Sequence, residues 1–274
     1  SIKANAFWHS VLVMAGSYID QRLFAKDVQG PRLGNQKQTV NTYGGRIPTV
    51  YGKYRTNGSL IWATKFHEHE HEEGGKGGGG GVTTYEYTCS FAIALCAGEV
   101  TGLGSVWFDG TVVENFADIL NNLKAGPSSV DVKIKGASAV LYRGTETQMP
   151  NSLIEGYEGA GNVPAYRGIS YLVFNELNLK DFGNRIPQVS VEVSAATTKL
   201  CNIIKDIVAK SGISATEVNF TPFEHFSVDV PGYAIASTGT YRAAIEPLQL
   251  AYFFDMIETQ GVIRCIARGS GETV

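Results

Sequence analysis

The sequence predicts a mainly β fold, with a barrel- or sandwich-like first part and a smaller α+β part after it. Short runs of alternating or β-branched residues, separated by turn residues, occupy the first two thirds of the 274-residue chain. Glycine is frequent, with 32 residues, and punctuates these runs. The clearest helical periodicity lies beyond residue 195. The candidate strands are 46–50, 59–66, 83–97, 104–108, 130–134, 169–174 and 188–193.

Two helices are predicted from apolar residues that recur every three or four positions. The stronger pattern spans 198–210 and is followed by Ser211 and Gly212, which are typical of a helix end. The weaker one spans 114–124, with Phe116, Ile119, Leu120 and Leu123 as its apolar side. We expect the weaker helix to cap or decorate the β-rich part.

A further helix is predicted near the C-terminal end of the sequence. Ile245, Leu248, Tyr252 and Met256 fall on one face at helical spacing. Proline is tolerated only in the first turn of a helix, so the pattern predicts that Pro247 lies there. The helix is expected to end before Gln260 and Gly261.

The composition changes near residue 195, which we take as a domain boundary. It separates a β-rich domain, 31–195, from an α+β domain, 196–274, and an N-terminal arm, 1–30, precedes both. The β-rich domain contains two long insertions, 67–81 and 128–164, and the second is expected to be a loop with one hairpin. Because the sequence begins without Met and ends just after an apparent strand, we expect a C-terminal domain that is incomplete.

Charge and cysteine content exclude several classes of protein. The formal net charge is −3, which argues against a general nucleic-acid or anionic-membrane binder. The four cysteines form no CxxC pair, so we expect reduced and mostly buried thiols. The longest apolar run, 91–97, is far shorter than the roughly 20 residues that span a bilayer.

The most conspicuous candidate for a metal site is a run of alternating histidine and glutamate. His67, His69 and His71 would all face one way in an extended chain, and three imidazoles can bind zinc or nickel. The run leads directly into a tract, 74–81, that contains seven glycines and supplies no rigid surroundings. We therefore expect 67–81 to be a solvated hairpin tip with no required metal. Lys76 is followed by glycine rather than Ser or Thr, so the tract is not a phosphate-binding loop.

No residue pattern indicates catalysis. Glu155 with Glu158, and Asp255 with Glu258, are carboxylate pairs at three-residue spacing, which is common on solvated surfaces. No Ser/His/Asp or Cys/His arrangement with a recognisable signature accompanies them. The sequence therefore predicts no catalytic residue and no cofactor.

A set of short segments forms a recognisable series along the chain: GSYIDQRLF (16–24), GPRLGN (30–35), YGGRIPTVYG (43–52), IWAT (61–64), FAIALCAGE (91–99), VWFDG (106–110), YRGTE (142–146), PAYRG (164–168) and DFGNRIP (181–187). Taken in this order, the segments resemble those of phage tail-tip and baseplate hub proteins. The likeness is strongest to the large baseplate proteins of gene transfer agents and related siphophages, and more distant to the tail-tip host-specificity proteins of lambda-like phages. Segments 230–233, 242–248 and 251–254 are similar to the family's second hub domain.

The resemblance implies a non-enzymatic homotrimer that closes the distal end of a tail tube and later lets DNA pass. Its implied partners are the distal tail protein, the C-terminal end of the tape-measure protein, and other baseplate or tail-fibre proteins. It implies a place at the virion tail tip, after assembly in the host cytoplasm, and host-envelope contact only through parts beyond this sequence. No sequence-specific nucleic-acid binding is expected.

The N-terminal arm is the predicted partner-docking segment, because so short a segment cannot bury its own apolar residues. The residues expected to make the contact are Phe7, Trp8, Ile19, Asp20, Arg22, Leu23 and Phe24. Two other functions stay open. A peripheral adhesin or carbohydrate-binding tail module would also tolerate many strands and aromatic residues, and an envelope-degrading hydrolase would need paired carboxylates or a metal-bound water in a cleft.

Overall fold

The computed structural model describes residues 28–29, 46–73, 82–116, 127–224, 228–237 and 239–269. The strands are β1 (Val28–Gln29), β2 (Thr49–Asn57), β3 (Ser59–Ala63), β4 (His67–Glu73), β5 (Val82–Ala97), β6 (Val100–Phe108), β7 (Thr111–Asn115), β8 (Ser129–Ile134), β9 (Ala137–Arg143), β10 (Ile169–Asn178), β11 (Val189–Ala195), β12 (Val218–Asn219), β13 (Gly232–Ile235), β14 (Phe254–Thr259) and β15 (Val262–Ala267). The α-helices are α1 (Ser152–Glu158), α2 (Leu200–Lys210), α3 (Thr221–Glu224) and α4 (Tyr241–Tyr252). The predicted mainly β fold class is confirmed.

The chain divides into two compact units. Among the described residues, the smaller unit contains 28–29, 64–73, 82–89 and Glu176–Ile186, and the larger contains 46–63, 90–116, 127–175 and most of Pro187–Val274. In the smaller unit, β4 runs antiparallel to the first half of β5, from His67 opposite Thr88 to Glu73 opposite Val82. The division of the chain into 1–30, 31–195 and 196–274 stays a prediction.

The larger unit contains a nearly closed, barrel-like sheet. Its strands follow the order β7-β6-β11-β2-β5-β10-β9-β8, with β3 added to β5 and β13 added to β2. The inward side chains of these strands form an aromatic core. Phe91 stacks on Phe174 with 4.7 Å between ring centroids, and Phe108 meets the edge of Phe174 at 5.8 Å. All three rings are buried, so this core fixes the register of the central strands.

A second core lies in the C-terminal part of the larger unit. The apolar side of α2, with Leu200, Ile203, Ile204 and Ile207, packs in one cluster with α4 and with the small sheet β12-β15-β14. The predicted helix 198–210 is therefore confirmed to within two residues of its start. Its periodicity was informative because one face is fully buried. No helix in the described parts of the chain is long and apolar enough to cross a membrane.

The last helix ends earlier than the sequence pattern predicts. α4 ends at Tyr252, Phe253 adopts a left-handed conformation with φ 52°, and Met256 lies in strand β14. Residues Gln260 and Gly261, with φ 57° and 75°, then form a tight turn into β15. The prediction that Pro247 lies in the first turn is also wrong, since α4 begins at Tyr241 and Pro247 is interior to it.

Three other predictions need correction. The loop tip predicted at 67–81 is wrong for His67–Glu73, which is strand β4 because its backbone pairs with β5 along one side, while 74–81 lies outside the described residues. The helix predicted at 114–124 does not begin at Glu114, because Glu114 is in β7 and pairs with β6. Residues 117–126 lie outside the described residues. The insertion 128–164 contains the expected hairpin, β8–β9, but also the unpredicted helix α1, which Asn151 caps by accepting from Ile154 N–H.

Candidate partner-binding surfaces

The residues predicted to dock against partners lie outside the described residues. They are Phe7, Trp8, Ile19, Asp20, Arg22, Leu23 and Phe24. The surfaces below are therefore those that the described parts of the chain offer to other molecules.

The histidine-rich strand β4 presents its three imidazoles on one face, as an extended chain should. His67 Nδ1 lies 2.9 Å from Glu176 Oε1, and His69 Nε2 lies 2.9 Å from the hydroxyl of Thr88. His71 Nε2 is 3.7 Å from Glu86 Oε2. Each ring thus meets a different partner. Within the residues that the structure describes, no three His, Cys, Asp or Glu side chains form a group that could hold a metal ion.

The carboxylate of Glu86 is the best-connected charge of this face. It accepts hydrogen bonds from Lys180 Nζ at 2.7 Å and from Asn178 Nδ2 at 3.1 Å. These bonds, with Lys180 the larger cause, hold the pKa of Glu86 below its ordinary value. A carboxylate held ionised in this way is a poor general acid, so the cluster is suited to joining strands rather than to proton transfer.

Arg143 is the centre of a buried polar network in the larger unit. Its Nε donates to the carbonyl of Val100 at 3.0 Å, one terminal nitrogen donates to the carbonyl of Pro127 at 3.2 Å, and the other donates to Glu99. The side chain is 1% exposed. A buried guanidinium is tolerated only when its donors are satisfied, so this network fixes the path of the chain around residue 143.

Gln148 extends this network to the loop that carries 164–168. Its side-chain oxygen accepts from the backbone N–H of Gly144 at 2.9 Å, and its Nε2 donates toward the carbonyls of Ala165 and Tyr166. The backbone N–H of Gly98 donates to Gly168 at 2.7 Å. Three of the segments that resemble tail hubs, 91–99, 142–146 and 164–168, therefore meet at one buried point. Their shared role is structural.

Helix α1 forms a partly exposed aromatic surface with strand β3. Trp62 Nε1 donates to Glu158 at 2.9 Å, and the Trp62 ring lies 5.6 Å from that of Tyr157. Met149, just before the helix, is 66% exposed. Partly exposed aromatic pairs such as Trp62 with Tyr157, and exposed apolar side chains such as Met149, favour contact with another molecule.

Helix α4 carries a second apolar surface, on the side that faces away from the core. Ile245 and Leu248 point inward and are buried. Four residues lie on the opposite side: Ala243, Pro247, Leu250 and, just beyond the last turn, Phe253; we call these the α4 outer face. Leu250 and Phe253 are each 64% exposed. A surface helix is normally polar opposite its core face, so this apolar side indicates a binding surface.

A pocket of about 640 Å³ adjoins the start of α4. Its lining includes Tyr51, Tyr233, Tyr241, Ile207 and Pro247. Its floor is the pair β2–β13, in which Tyr51 lies opposite Tyr233.

Tyr51 and Lys210, which line this pocket, share the carboxylate of Asp206. The hydroxyl of Tyr51 donates to Asp206 Oδ2 at 2.6 Å, and Lys210 Nζ lies 2.6 Å from the same oxygen. Burial, and then the Asp206 carboxylate, raise the pKa of Tyr51, so its phenol stays neutral. The pocket therefore offers aromatic and apolar walls rather than an activated nucleophile, which suits an inserted side chain.

Sequence reasoning missed both the α4 outer face and the tyrosine-lined pocket. A signal for the outer face was present, since Ala243, Pro247 and Leu250 repeat at helical spacing opposite Ile245 and Leu248. The pocket had no sequence signal, because β2 and β13 are about 180 residues apart in the chain and meet only in the folded sheet.

Comparison with known proteins shows a structural likeness to a virion protein. No protein-family model matches the sequence, and no curated protein matches it. A chain in the solved structure of the virion of a native gene transfer agent particle superposes with a TM-score of 0.61 and 26% sequence identity. The match covers 99% of this chain and 63% of the other, so this chain spans a little under two thirds of the length of the protein it matches.

Proposed function

We propose that this chain is a structural component of a phage or gene-transfer-agent virion, and within it part of the hub at the tail tip. The observation that carries the proposal is the match to a gene-transfer-agent virion chain over 99% of the sequence. A shared fold over nearly the whole chain, together with 26% identity, supports the virion role.

The tail-tip position is the finer part of the proposal. It rests on the ordered segments that resemble baseplate hub proteins, three of which converge on Arg143 and Gln148. A hub in this position closes the distal end of the tail tube, contacts the distal tail protein and the end of the tape-measure protein, and opens for DNA. Three copies around the tube axis give a closed ring.

A structural role agrees with the chemistry of the described side chains. Glu86, Arg143 and Gln148 are held by several hydrogen bonds each, and those bonds join strands and loops. The apolar side chains left at the surface, such as Met149, Leu250 and Phe253, gain free energy when a partner covers them. The chain therefore acts by assembling, not by catalysis.

The N-terminal arm contributes to that assembly in our proposal. Its aromatic and aliphatic residues supply most of the affinity, while Asp20 and Arg22 set the register of the contact. Deleting residues 1–30 removes β1, and should leave strands β2–β15 folded but stop the protein from joining tails.

One alternative is favoured by a specific observation. The Trp62 and Tyr157 rings, with the Glu158 carboxylate beside them, resemble the aromatic and acidic surfaces that bind sugars. A carbohydrate-binding tail module would bind glycans as an isolated protein, and Trp62→Ala would abolish that binding. A hub needs no such activity, so glycan binding in the absence of other tail proteins favours the alternative.

Electron microscopy of labelled particles tests the proposal. An epitope placed at the exposed turn between β8 and β9, at Lys135 and Gly136, should be decorated by antibody fragments at the tip of the tail. Unlabelled particles are the control. Light scattering should also give three copies per assembled hub. Decoration of side fibres, or absence of the chain from purified particles, would overturn the assignment.

A further inference from the structure

We propose that the α4 outer face of one copy binds residues 18–24 of the N-terminal arm of a neighbouring copy. The inference rests on the proposed function, in which the arm docks during assembly, and it names the surface that receives the arm. The arm that binds this surface belongs to a second copy of this chain.

Two apolar side chains on the outer side of α4 stay largely uncovered by the residues that the structure describes. Leu250 and Phe253 are each 64% exposed, although the opposite side of the helix is packed in the core. Phe253 also has φ 52°, a conformation that an aromatic residue rarely adopts and that glycine or asparagine would adopt more easily. A bulky apolar side chain held outward at a strained position indicates a use for that side chain.

One row of exposed residues at the edge of the α4 outer face carries charges that complement those of the arm. Arg242, Glu246 and Leu250 follow one another at four-residue spacing, so their positions are about 6 Å apart along the axis. Arg242 and Glu246 are exposed, and neither is in an ion pair among the residues that the structure describes. The row therefore presents a cation, an anion and an apolar group in that order.

The N-terminal arm carries the complementary order. Asp20, Arg22 and Phe24 are spaced by two residues, which is about 6.6 Å in an extended chain. This spacing nearly equals that of the helix row, so Asp20 would face Arg242, Arg22 would face Glu246, and Phe24 would face Leu250. Opposite charges would pair and the two apolar groups would meet.

The same alignment fills the tyrosine-lined pocket. Tyr18 lies two residues before Asp20, and so falls on the same side of an extended arm. Tyr18 would then lie beyond Arg242, next to the first residue of α4, where Tyr241 and Gly239 line the pocket. An aromatic ring from the arm suits walls formed by Tyr51, Tyr233 and Pro247.

A neighbouring copy is the occupant that agrees with a closed ring. If each copy gives one arm and receives one, the contact is head-to-tail, and three such contacts close a trimer. The 27 residues that precede the first described strand supply length for this exchange. An arm bound to its own chain would leave the copies unlinked.

Disulfide crosslinking between two full-length chains tests the contact. One chain carries Phe24→Cys, and a second chain, lengthened by a tag, carries Leu250→Cys. All four native cysteines are buried, so they contribute little background. Mild oxidation of the co-expressed chains should give a product that contains one chain of each length. The matched control pairs Phe24→Cys with Met149→Cys, at a similarly exposed apolar position, and should give at least about tenfold less product.

Charge reversal provides a second readout on the same crosslink. Arg242→Glu should reduce the yield by about tenfold, because it places two carboxylates together. Combining it with Asp20→Arg should restore most of the yield. Rescue separates a direct pairing from a general loss of folding, since two misfolding substitutions would not compensate each other.

The outcomes distinguish this inference from the function on which it rests. No product that contains one chain of each length, a yield no higher than that of the Met149→Cys control, or no rescue by the paired reversal would overturn the inference. If the chain were still found at the tail tip, the proposed function would stand without it. A crosslink between copies in a protein that is absent from tails would support the contact and overturn the proposed function.

Discussion

Arg143 and Glu99 form an ion pair whose two ends lie in different environments. The Arg143 side chain is 1% exposed, whereas that of Glu99 is 46% exposed. The guanidinium is thus a buried charge whose counterion is reached by water, and backbone carbonyls satisfy its other donors. This ion pair joins segments 91–99 and 142–146, which both resemble segments of tail hubs. We expect the stability of the fold at this contact to depend mainly on Arg143, the buried member of the pair.

Replacing Arg143 should destabilise the fold more than replacing Glu99. Arg143→Met removes the side-chain donor to the carbonyls of Val100 and Pro127 and the buried partner of Glu99, and should lower the free energy of unfolding by about 3 kcal/mol. Glu99→Gln keeps an acceptor and is partly hydrated, so its cost should be about 1 kcal/mol or less. Urea unfolding of both variants measures the difference, and equal losses would contradict the buried-network interpretation.

Gly144 should be irreplaceable because its backbone lies against that of another segment. It has φ 85°, and a Cβ there would lie 2.4 Å from the carbonyl oxygen of Gly98. Gly136 is the matched control, with φ 80° and no atom within 4 Å of the added Cβ. Both alanine variants suffer backbone strain, but only Gly144→Ala also forces backbone to move. Its unfolding free energy should fall by about 2 kcal/mol more than that of Gly136→Ala.

The cysteines should be unreactive in the native protein. Burial raises the pKa of Cys89 and Cys96 to about 11 and that of Cys265 to about 12. At pH 8 roughly one thiol in a thousand would be ionised at a pKa of 11, against about a quarter at the unperturbed value near 8.5. A thiol reagent at pH 8 should therefore label the chain slowly, and label four cysteines rapidly after denaturation. Rapid labelling of the native protein would show that the core opens.

The histidines of β4 should be dispensable for assembly. Changing His67, His69 and His71 to Ala removes contacts at the surface, each worth less than about 1 kcal/mol. Tails should still form, and elemental analysis should find no zinc lost with the substitutions. As a control, Tyr87→Ala on the paired strand removes a buried side chain and should destabilise the protein clearly. Loss of tails together with loss of zinc in the triple variant would restore the metal interpretation.

The sequence was informative where one physical cause dominated a segment. Strand β5 and helix α2 were predicted well because burial on one or both faces imposes a regular apolar pattern. Strand β4 was misread because histidine and glutamate carry no strand preference, and its pairing with β5 is a tertiary effect. Met256 continued the helical spacing of Tyr252 by coincidence, while Phe253 turns the chain out of the helix.

The candidate binding surfaces also differ in how much of them a local sequence pattern can reveal. The N-terminal arm stays a prediction from the sequence, made because so short a segment has too few residues to bury its own apolar side chains. The α4 outer face was missed because Ile245 and Leu248 by themselves account for a helix with one core-facing side. The tyrosine-lined pocket needs β2 and β13 to be adjacent, and no local pattern encodes that adjacency.

Phe253 should be a position where stability and assembly oppose each other. Its φ of 52° costs an ordinary residue about 1–2 kcal/mol, and asparagine tolerates this conformation better. Phe253→Asn should therefore raise the free energy of unfolding by about 0.5–1 kcal/mol relative to Phe253→Ala, which removes the ring but keeps the strain. The lost ring should matter little to folding, because the side chain is 64% exposed.

Both variants remove the same aromatic group from the α4 outer face, so both should impair incorporation into tails to a similar extent. Chemical unfolding gives the stability of each variant, and counting the labelled chain in purified particles gives its incorporation. If the more stable Phe253→Asn protein assembled normally, the strained phenylalanine would have no role in assembly. If Phe253→Asn were no more stable than Phe253→Ala, the left-handed conformation would carry no strain. The expected result is that Phe253→Asn is more stable than Phe253→Ala and still fails to assemble. The Phe253 ring would then be needed for contact with a partner and not for folding.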